Sequence, residues 1–222
     1  MIDPEKFEQR WNSFSSNYMR DFNSFWNWKL EIEKSNGHIL DDSNLGSTHR
    51  RLCGILPGWQ TYRPYGLNEQ ILREALEEIS WAYDKIRNHS LLEFKDIPRE
   101  TLRLIWTELG RVKTKNRSDY QYVMSVCKPL MMLWGQTLAF DKNVRKKIPF
   151  AAKTKSKWNF ETWKSIMNGF SHKLNQSPET VEFLKEWSRK EFGTDTPAPY
   201  GRFLDIYYFT DSSKRFQQTR FL

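Results

Sequence analysis

Apolar residues recur every three or four positions along most of this chain, which is the spacing of amphipathic α-helices. The first such stripe lies within residues 4–33 and is mainly aromatic: Phe7, Trp11, Phe14, Tyr18, Phe22, Phe25, Trp26 and Leu30. It predicts one aromatic N-terminal helix over residues 4–33. The stripe faces either the core of the protein or a partner protein, and the sequence leaves both interpretations open.

Seven further segments show helical periodicity, and several carry start or stop signals. Pro98 and Pro178 stand at expected first helical positions, and Gly110, Gly135 and Gly193 at expected helix ends. The predicted helices lie at residues 67–88, 98–110, 120–134, 142–147, 159–174, 178–192 and 203–208. No segment alternates with a period of two for long enough to predict a strand. The sequence therefore predicts an all-α fold, a single orthogonal multi-helix domain of about eight helices over residues 1–222.

Positive charge is concentrated in one part of the chain. The segment from Arg111 to Lys157 contains 12 Lys and Arg residues against two acids, a net charge of +10, whereas the whole chain carries +8. The remainder therefore carries −2. Because local positive charge beside an apolar helix is typical of polyanion-binding sites, we expect this basic segment to bind nucleic acid. DNA is the favoured nucleic acid over RNA.

The expected nucleic-acid-binding residues are long cationic side chains of the basic segment. They are Arg111, Lys113, Lys115, Arg117, Lys142, Arg145, Lys146, Lys147, Lys153, Lys155 and Lys157. Such side chains suit phosphate contacts, which predicts weak sequence preference and strong salt dependence. Two other interpretations remain open: a solvated surface, which is the usual role of a run of charges, and a docking surface for an acidic protein.

A second candidate for chemistry lies inside the basic segment. The stretch SVCKPLMMLWGQTLAFDKNVRK places Lys128 within a helix and Asp141 at the start of the next helix. This layout resembles that of the helix-hairpin-helix DNA glycosylases and their catalytically silent relatives, over about residues 90–210. The resemblance implies that Lys128 attacks the sugar C1′ atom and that Asp141 stabilises the positive charge that develops there.

The chain departs from that family's pattern at the hairpin. Gly135-Gln136-Thr137 stands where a Leu-Pro-Gly hairpin is expected, and the Leu56-Pro57-Gly58 of this chain lies far upstream. The alternative interpretation of the two residues is structural: Asp141 caps a helix, and Lys128 extends its ammonium group from a core helix.

The remaining polar residues predict no metal or cofactor site. His38, His49, His89 and His172 are not at metal-ligand spacing from one another or from Cys53 and Cys127, which we interpret as reduced thiols of a cytoplasmic protein. Asp205 lies in an apolar segment and needs a partner such as Arg202 if it is buried. Four aromatic residues are candidates for stacking on unpaired bases unless they fold back onto the core: Tyr62, Tyr65, Trp158 and Tyr200.

These features favour a cytoplasmic helical protein that binds nucleic acid and does not enter the membrane. We hypothesise an accessory subunit of a bacterial DNA-maintenance or phage-defence system, a setting suggested by the general character of the chain and by no motif. One alternative is a DNA glycosylase-like enzyme that acts on a base through Asp141, with or without Lys128. The other is an interaction subunit that docks through its aromatic N-terminal helix. Whether the protein is an enzyme is left undecided.

Overall fold

Helices make up most of the computed structural model, which describes residues 2–14, 16–35, 37–148, 155–195 and 197–209. The α-helices are α1 (Pro4–Ser13), α2 (Ser16–Lys34), α3 (Leu45–Ile55), α4 (Glu69–Ile86), α5 (Arg99–Thr114), α6 (Val123–Trp134), α7 (Lys142–Lys147), α8 (Phe160–Asn175), α9 (Pro178–Phe192) and α10 (Tyr200–Tyr208). A 3-10 helix spans Leu91–Asp96, and two strands, β1 (Tyr120–Tyr122) and β2 (Lys157–Asn159), form an antiparallel pair. The all-α prediction is confirmed, with more helices than expected.

The aromatic N-terminal segment forms two helices, so the prediction of one helix over residues 4–33 is wrong. Phe14 ends α1 in an extended conformation, with ψ 151°. This break allows α1 to pack on α10, while α2 packs on α6. Helical spacing of the aromatic residues continues across the break, which is why the pattern did not reveal it. Phe7, Phe22 and Trp26 are fully buried, so the stripe belongs to the core of this chain.

The central part of the chain also departs from prediction at its ends. Helix α5 continues past Gly110 and ends at Lys115, whose φ is 60°, so much of the expected basic loop is the last turn of a helix. Residues 120–122 form β1 instead of the start of α6. Strand β1 pairs with β2 in the register Tyr120 to Asn159 and Tyr122 to Lys157.

Helix α6 lies at the centre of the protein. Each of its residues except Met124 is buried, and it packs on α2 and α5. The buried apolar side chains form one continuous cluster that extends along the chain from Ile2 to Ile206. In the described part of the chain, no helix combines the length and the apolar character needed to cross a membrane.

The segment after α6 passes directly beneath α10. Gly135 ends α6 with φ 74°, a conformation that favours glycine, and its carbonyl accepts a 3.1 Å hydrogen bond from the Arg202 amide. Gly201 permits this approach, because a Cβ atom there would lie 2.2 Å from the backbone carbon of Gln136. This contact holds two residues of α10, Arg202 and Asp205, beside α6. The start of α7 lies in the same region.

Candidate functional site

A pocket of about 410 Å³ opens where the ends of these segments meet, which is large enough for a small planar ligand. Its floor is formed by the buried side chains Lys128, Ala139, Arg202 and Asp205. Its walls are formed by Phe14, Tyr18, Trp59, Met124 and Phe209, and its rim by Gln60, Arg63, Asp141, Lys142 and Asn143. The sequence-predicted pair Lys128 and Asp141 therefore shares one pocket, which we call the Lys128 pocket.

Lys128 is a buried cation with one hydrogen-bond partner in the described residues. Its ammonium group extends from α6 and donates to the backbone carbonyl of Trp59. Burial lowers the pKa of Lys128 to about 8, although Asp141 and Asp205 oppose the shift. A lysine with a lowered pKa stays mostly protonated at pH 7 but has a larger neutral fraction than an ordinary lysine, and the neutral amine is the form that attacks carbon.

Asp141 has two roles in the structure. One carboxylate oxygen accepts the backbone N–H groups of Asn143 at 2.7 Å and Val144 at 3.0 Å, and so caps α7 as predicted. The same side chain is half-buried and lies at the rim of the Lys128 pocket. The structural interpretation of this residue, a helix cap, is confirmed.

Arg202 and Asp205 form an ion pair at the floor of the pocket. The guanidinium Nη1 lies 3.4 Å from the Asp205 carboxylate, and the Ala139 amide donates to that carboxylate at 2.9 Å. Burial raises the pKa of Asp205 to about 7, while Arg202 and the Ala139 amide act in the opposite direction. The expectation that a buried Asp205 would be paired with Arg202 is confirmed.

Aromatic rings surround the cations of the pocket. The Arg202 guanidinium lies 4.9 Å from the ring centroid of Phe14 and 5.4 Å from that of Trp59. Tyr18 contacts Trp59 edge to face, with 5.4 Å between ring centroids. Flat apolar walls above a cationic floor suit a planar ligand that carries hydrogen-bond acceptors.

Strained backbone borders the pocket on two sides. Gln60 has φ 56° and Phe140 has φ 52°, whereas left-handed backbone is uncommon for residues other than glycine. Gln60 lies at the rim, and Phe140 joins the two pocket residues Ala139 and Asp141. Such conformations are often found at functional sites, where the surrounding structure holds them.

The predicted cations of α7 lie beside the pocket, and one of them lines it. Lys142 lies at its rim, and Lys146 and Lys147 are exposed on α7. Lys6 and Arg10 of α1 are close enough to lower the pKa of Lys147, an effect second to that of burial. We call these five cations, Lys6, Arg10, Lys142, Lys146 and Lys147, the α7 basic surface. Arg145, expected to be part of a binding face, points instead into the protein and is buried.

Two of the predicted cations, Arg111 and Arg117, are neutralised by carboxylate groups. Arg111 is paired with Glu108 at 2.6 Å and Glu74 at 3.1 Å, and Arg117 with Glu108 at 2.6 Å. Because Glu108 is buried between two guanidinium groups, these arginines have a structural role that the sequence did not reveal. Counting charges along the segment overlooked acids from α4 and α5.

The other predicted cations lie elsewhere on the surface. Lys115, Lys155 and Lys157 are exposed, and Lys113 is half-buried against Tyr122. Lys153 lies outside the described residues. Of the four candidate stacking residues, Tyr62, Trp158 and Tyr200 are buried, which leaves Tyr65 exposed.

Sequence reasoning did not bring Arg202, Trp59 and Phe14 into the site. They come from three distant parts of the chain, and no spacing rule links them.

The described residues contain no group of three His, Cys, Asp or Glu side chains suited to a metal ion, and Cys53 and Cys127 are free. No protein-family model, curated protein or solved structure matches the chain.

Proposed function

We propose that this protein binds DNA through the α7 basic surface and takes one unpaired base into the Lys128 pocket. The observation that carries the proposal is an aromatic pocket with a cationic floor, with Lys142 at its rim and the other cations of the α7 basic surface on α7 and the neighbouring α1. Phosphates would contact the surface, and a base would enter between the aromatic walls. Proteins that act on a single base extrude it from the duplex into such a pocket.

The charges near the pocket support this proposal. No ion pair with a carboxylate involves Lys6, Lys142, Lys146 or Lys147 within the described residues, in contrast to Arg111 and Arg117. Unneutralised surface cations attract phosphate and release counterions when they bind it. At the floor, the Nε atom of Arg202 has no hydrogen-bond partner in the described part of the chain, so a donor remains for a ligand.

Charge reversal at the α7 basic surface tests the phosphate contacts. Fluorescence anisotropy would compare the wild-type protein with the triple variant Lys142→Glu, Lys146→Glu and Lys147→Glu on a duplex that carries one unpaired nucleotide. We expect the variant to lose at least about tenfold in affinity at low salt, because several phosphate contacts become repulsive. Arg145 is left unchanged because it is buried.

The matched control carries the same charge change at exposed lysines that do not line the pocket: Lys34→Glu, Lys95→Glu and Lys190→Glu. It should bind as the wild type does. An equal loss of DNA affinity in both triple variants would show that binding depends only on net charge and would contradict the proposed surface. Failure of the wild type to prefer the bulged duplex over a fully paired one would contradict base entry.

A glycosylase-like reaction is the second candidate function, favoured by the shared pocket of Lys128 and Asp141. In this reaction the neutral Lys128 amine forms a bond to C1′ of the sugar. The C1′–N bond to the base breaks, its electron pair leaves with the base, and the base takes a proton from the amine. The sugar ring then opens as its C1′–O4′ bond breaks, O4′ takes the second amine proton, and Lys128 is left joined to C1′ as an imine.

Borohydride trapping tests this chemistry directly. A duplex with a single abasic site presents an aldehyde, and reduction of its imine with Lys128 would leave a covalent protein–DNA complex. Lys128→Met should form none, while Lys142→Met, which keeps the amine at the pocket floor, should still form it. Full release of uracil from DNA by Asp141→Asn would contradict a catalytic role for that carboxylate.

The biological setting is part of the proposal and is suggested by the general character of the chain, with no motif behind it. A protein that engages single bases in a cytoplasmic compartment would act as an accessory subunit in bacterial DNA maintenance or phage defence. The docking alternative has less support, because most of the aromatic stripe it requires is buried in α1 and α2.

A further inference from the structure

A small ribbon beside the Lys128 pocket carries exposed aromatic rings. Alternate residues of a strand point to opposite faces, so Tyr120 and Tyr122 share one face of β1 while Gln121 is buried on the other. On β2, Trp158 is likewise buried, and Lys157 lies opposite Tyr122. Tyr120 is 54% exposed. The outer face of the ribbon therefore carries an exposed ring, Tyr120, beside a half-buried one, Tyr122.

Two lysines without carboxylate partners in the described part of the chain lie at the ring of Tyr122. The ammonium group of Lys113 lies 4.3 Å from the ring centroid of Tyr122, and that of Lys157 lies 4.6 Å from it. Within the described residues, neither lysine forms an ion pair. Their mutual repulsion contributes to the lowered pKa of Lys113, after burial. Two cations held at one ring attract an anion to that ring.

The ribbon is linked to the pocket through neighbouring residues of α5 and α6. Lys113 donates a 2.9 Å hydrogen bond to the carbonyl of Arg63, whose side chain lies at the pocket rim. Met124, two residues after Tyr122, lines the pocket wall. Tyr65, 84% exposed, lies beside Lys113 on the other side. Rings and cations thus continue from the rim of the pocket onto the ribbon.

We propose that Tyr120 and Tyr122, with Lys113 and Lys157, form a stacking platform for unpaired nucleotides beside the base in the Lys128 pocket. Bases stack on the exposed rings, and the lysines contact the phosphates between them, as in other single-strand-binding surfaces. This inference rests on the proposed DNA binding and adds the class of ligand: DNA with a single-stranded stretch. A protein partner would use the same rings and is an outcome of the test.

The test is anisotropy with an oligothymidylate of about 12 nucleotides, within the usual range of site sizes. Tyr120→Ala and Tyr122→Ala should each weaken binding by about tenfold, because each removes one stacking ring. Tyr122→Phe keeps the ring and should bind as the wild type does, which separates stacking from loss of folding. The matched control is Trp81→Ala, since Trp81 is 52% exposed and lies 4.8 Å from the Lys85 ammonium group on α4.

The outcomes separate this inference from the proposed function. If the wild type binds neither oligothymidylate nor bulged duplex, both fail. If it binds both, and the two alanine variants keep full affinity for oligothymidylate, the platform is wrong while DNA binding stands. Equal loss in Trp81→Ala would also overturn the platform. Photocrosslinking with 5-bromouracil supports the platform if the adduct maps to Tyr120 or Tyr122 and contradicts it if adducts form elsewhere only.

Discussion

The pocket floor holds three buried charged side chains, Lys128, Arg202 and Asp205. Each carries a cost of burial, which the structure offsets through the Trp59 carbonyl, the Ala139 amide and the Arg202–Asp205 pair. Charges held this way are poor sources of stability compared with apolar packing. Their retention at one pocket, beside strained backbone, favours a functional reason.

Loss of the Asp205 carboxylate should destabilise the protein strongly. Asp205→Asn leaves the Arg202 guanidinium, 1% exposed, without its charged partner, and we expect the free energy of unfolding to fall by about 3 kcal/mol. The control is Asp195→Asn, which breaks a solvent-exposed pair with Arg189 and should cost much less, because water screens that pair. Urea denaturation measures both. Equal small losses would mean that the buried pair contributes no more than a surface pair.

Burial of Lys128 should make stability depend on alkaline pH. Its pKa of about 8 in the folded protein lies below the ordinary 10.5, so between these values the unfolded chain binds more protons. Stability therefore rises with pH through this window, by up to about 3 kcal/mol. Lys128→Met removes the titrating group. Urea unfolding over the window should show that the wild type gains stability relative to the variant as pH rises, and parallel curves would contradict the shift.

The helices show how far sequence patterns reach. Caps and periodicity are local, so α4, α8 and α9 lie close to their predicted positions, and Asn159 and Asp141 cap helices as expected. The break at Phe14 and the β1–β2 ribbon depend on distant contacts, which periodicity does not contain. For the same reason Lys128 and Asp141 were identified from one stretch of sequence, whereas Arg202, which reaches the pocket through the fold, was named only as a partner for Asp205.

Among the contacts near the site, the one between α10 and residues 135–137 should tolerate substitution least. Gly201→Ala would place a Cβ atom 2.2 Å from the Gln136 backbone, so α10 must shift, at an expected cost of about 3 kcal/mol or more. Gly54→Ala in α3 meets no atom within 4 Å and should stabilise by about 0.5–1 kcal/mol. Urea denaturation compares the two glycine-to-alanine changes. A tolerated Gly201→Ala would mean that α10 is not fixed by this contact.

At the scale of the whole molecule, the fold divides one basic segment into regions with different roles. Arg111 and Arg117 neutralise carboxylates, Arg145 is buried, and the cations of α7 stay at the surface. The acids that pair with Arg111 and Arg117 include Glu74 of α4 and Glu108 of α5, and both precede the basic segment in the chain. Net charge along the sequence therefore overstates the charge available to a polyanion, and the exposed lysines of α7 are part of what remains available.

This division predicts which lysines control the salt dependence of DNA binding. Each phosphate contact contributes about −0.9 to the slope of log K against log salt. Neutralising two exposed cations with Lys142→Gln and Lys146→Gln should therefore make the slope shallower by about 2. The control pair Lys34→Gln and Lys95→Gln has the same charge change at exposed positions that do not line the pocket, and should leave the slope unchanged. Anisotropy titrations over a salt series measure all three slopes. A slope that responds equally to both pairs would show that DNA senses net charge, and the α7 basic surface would lose its special role.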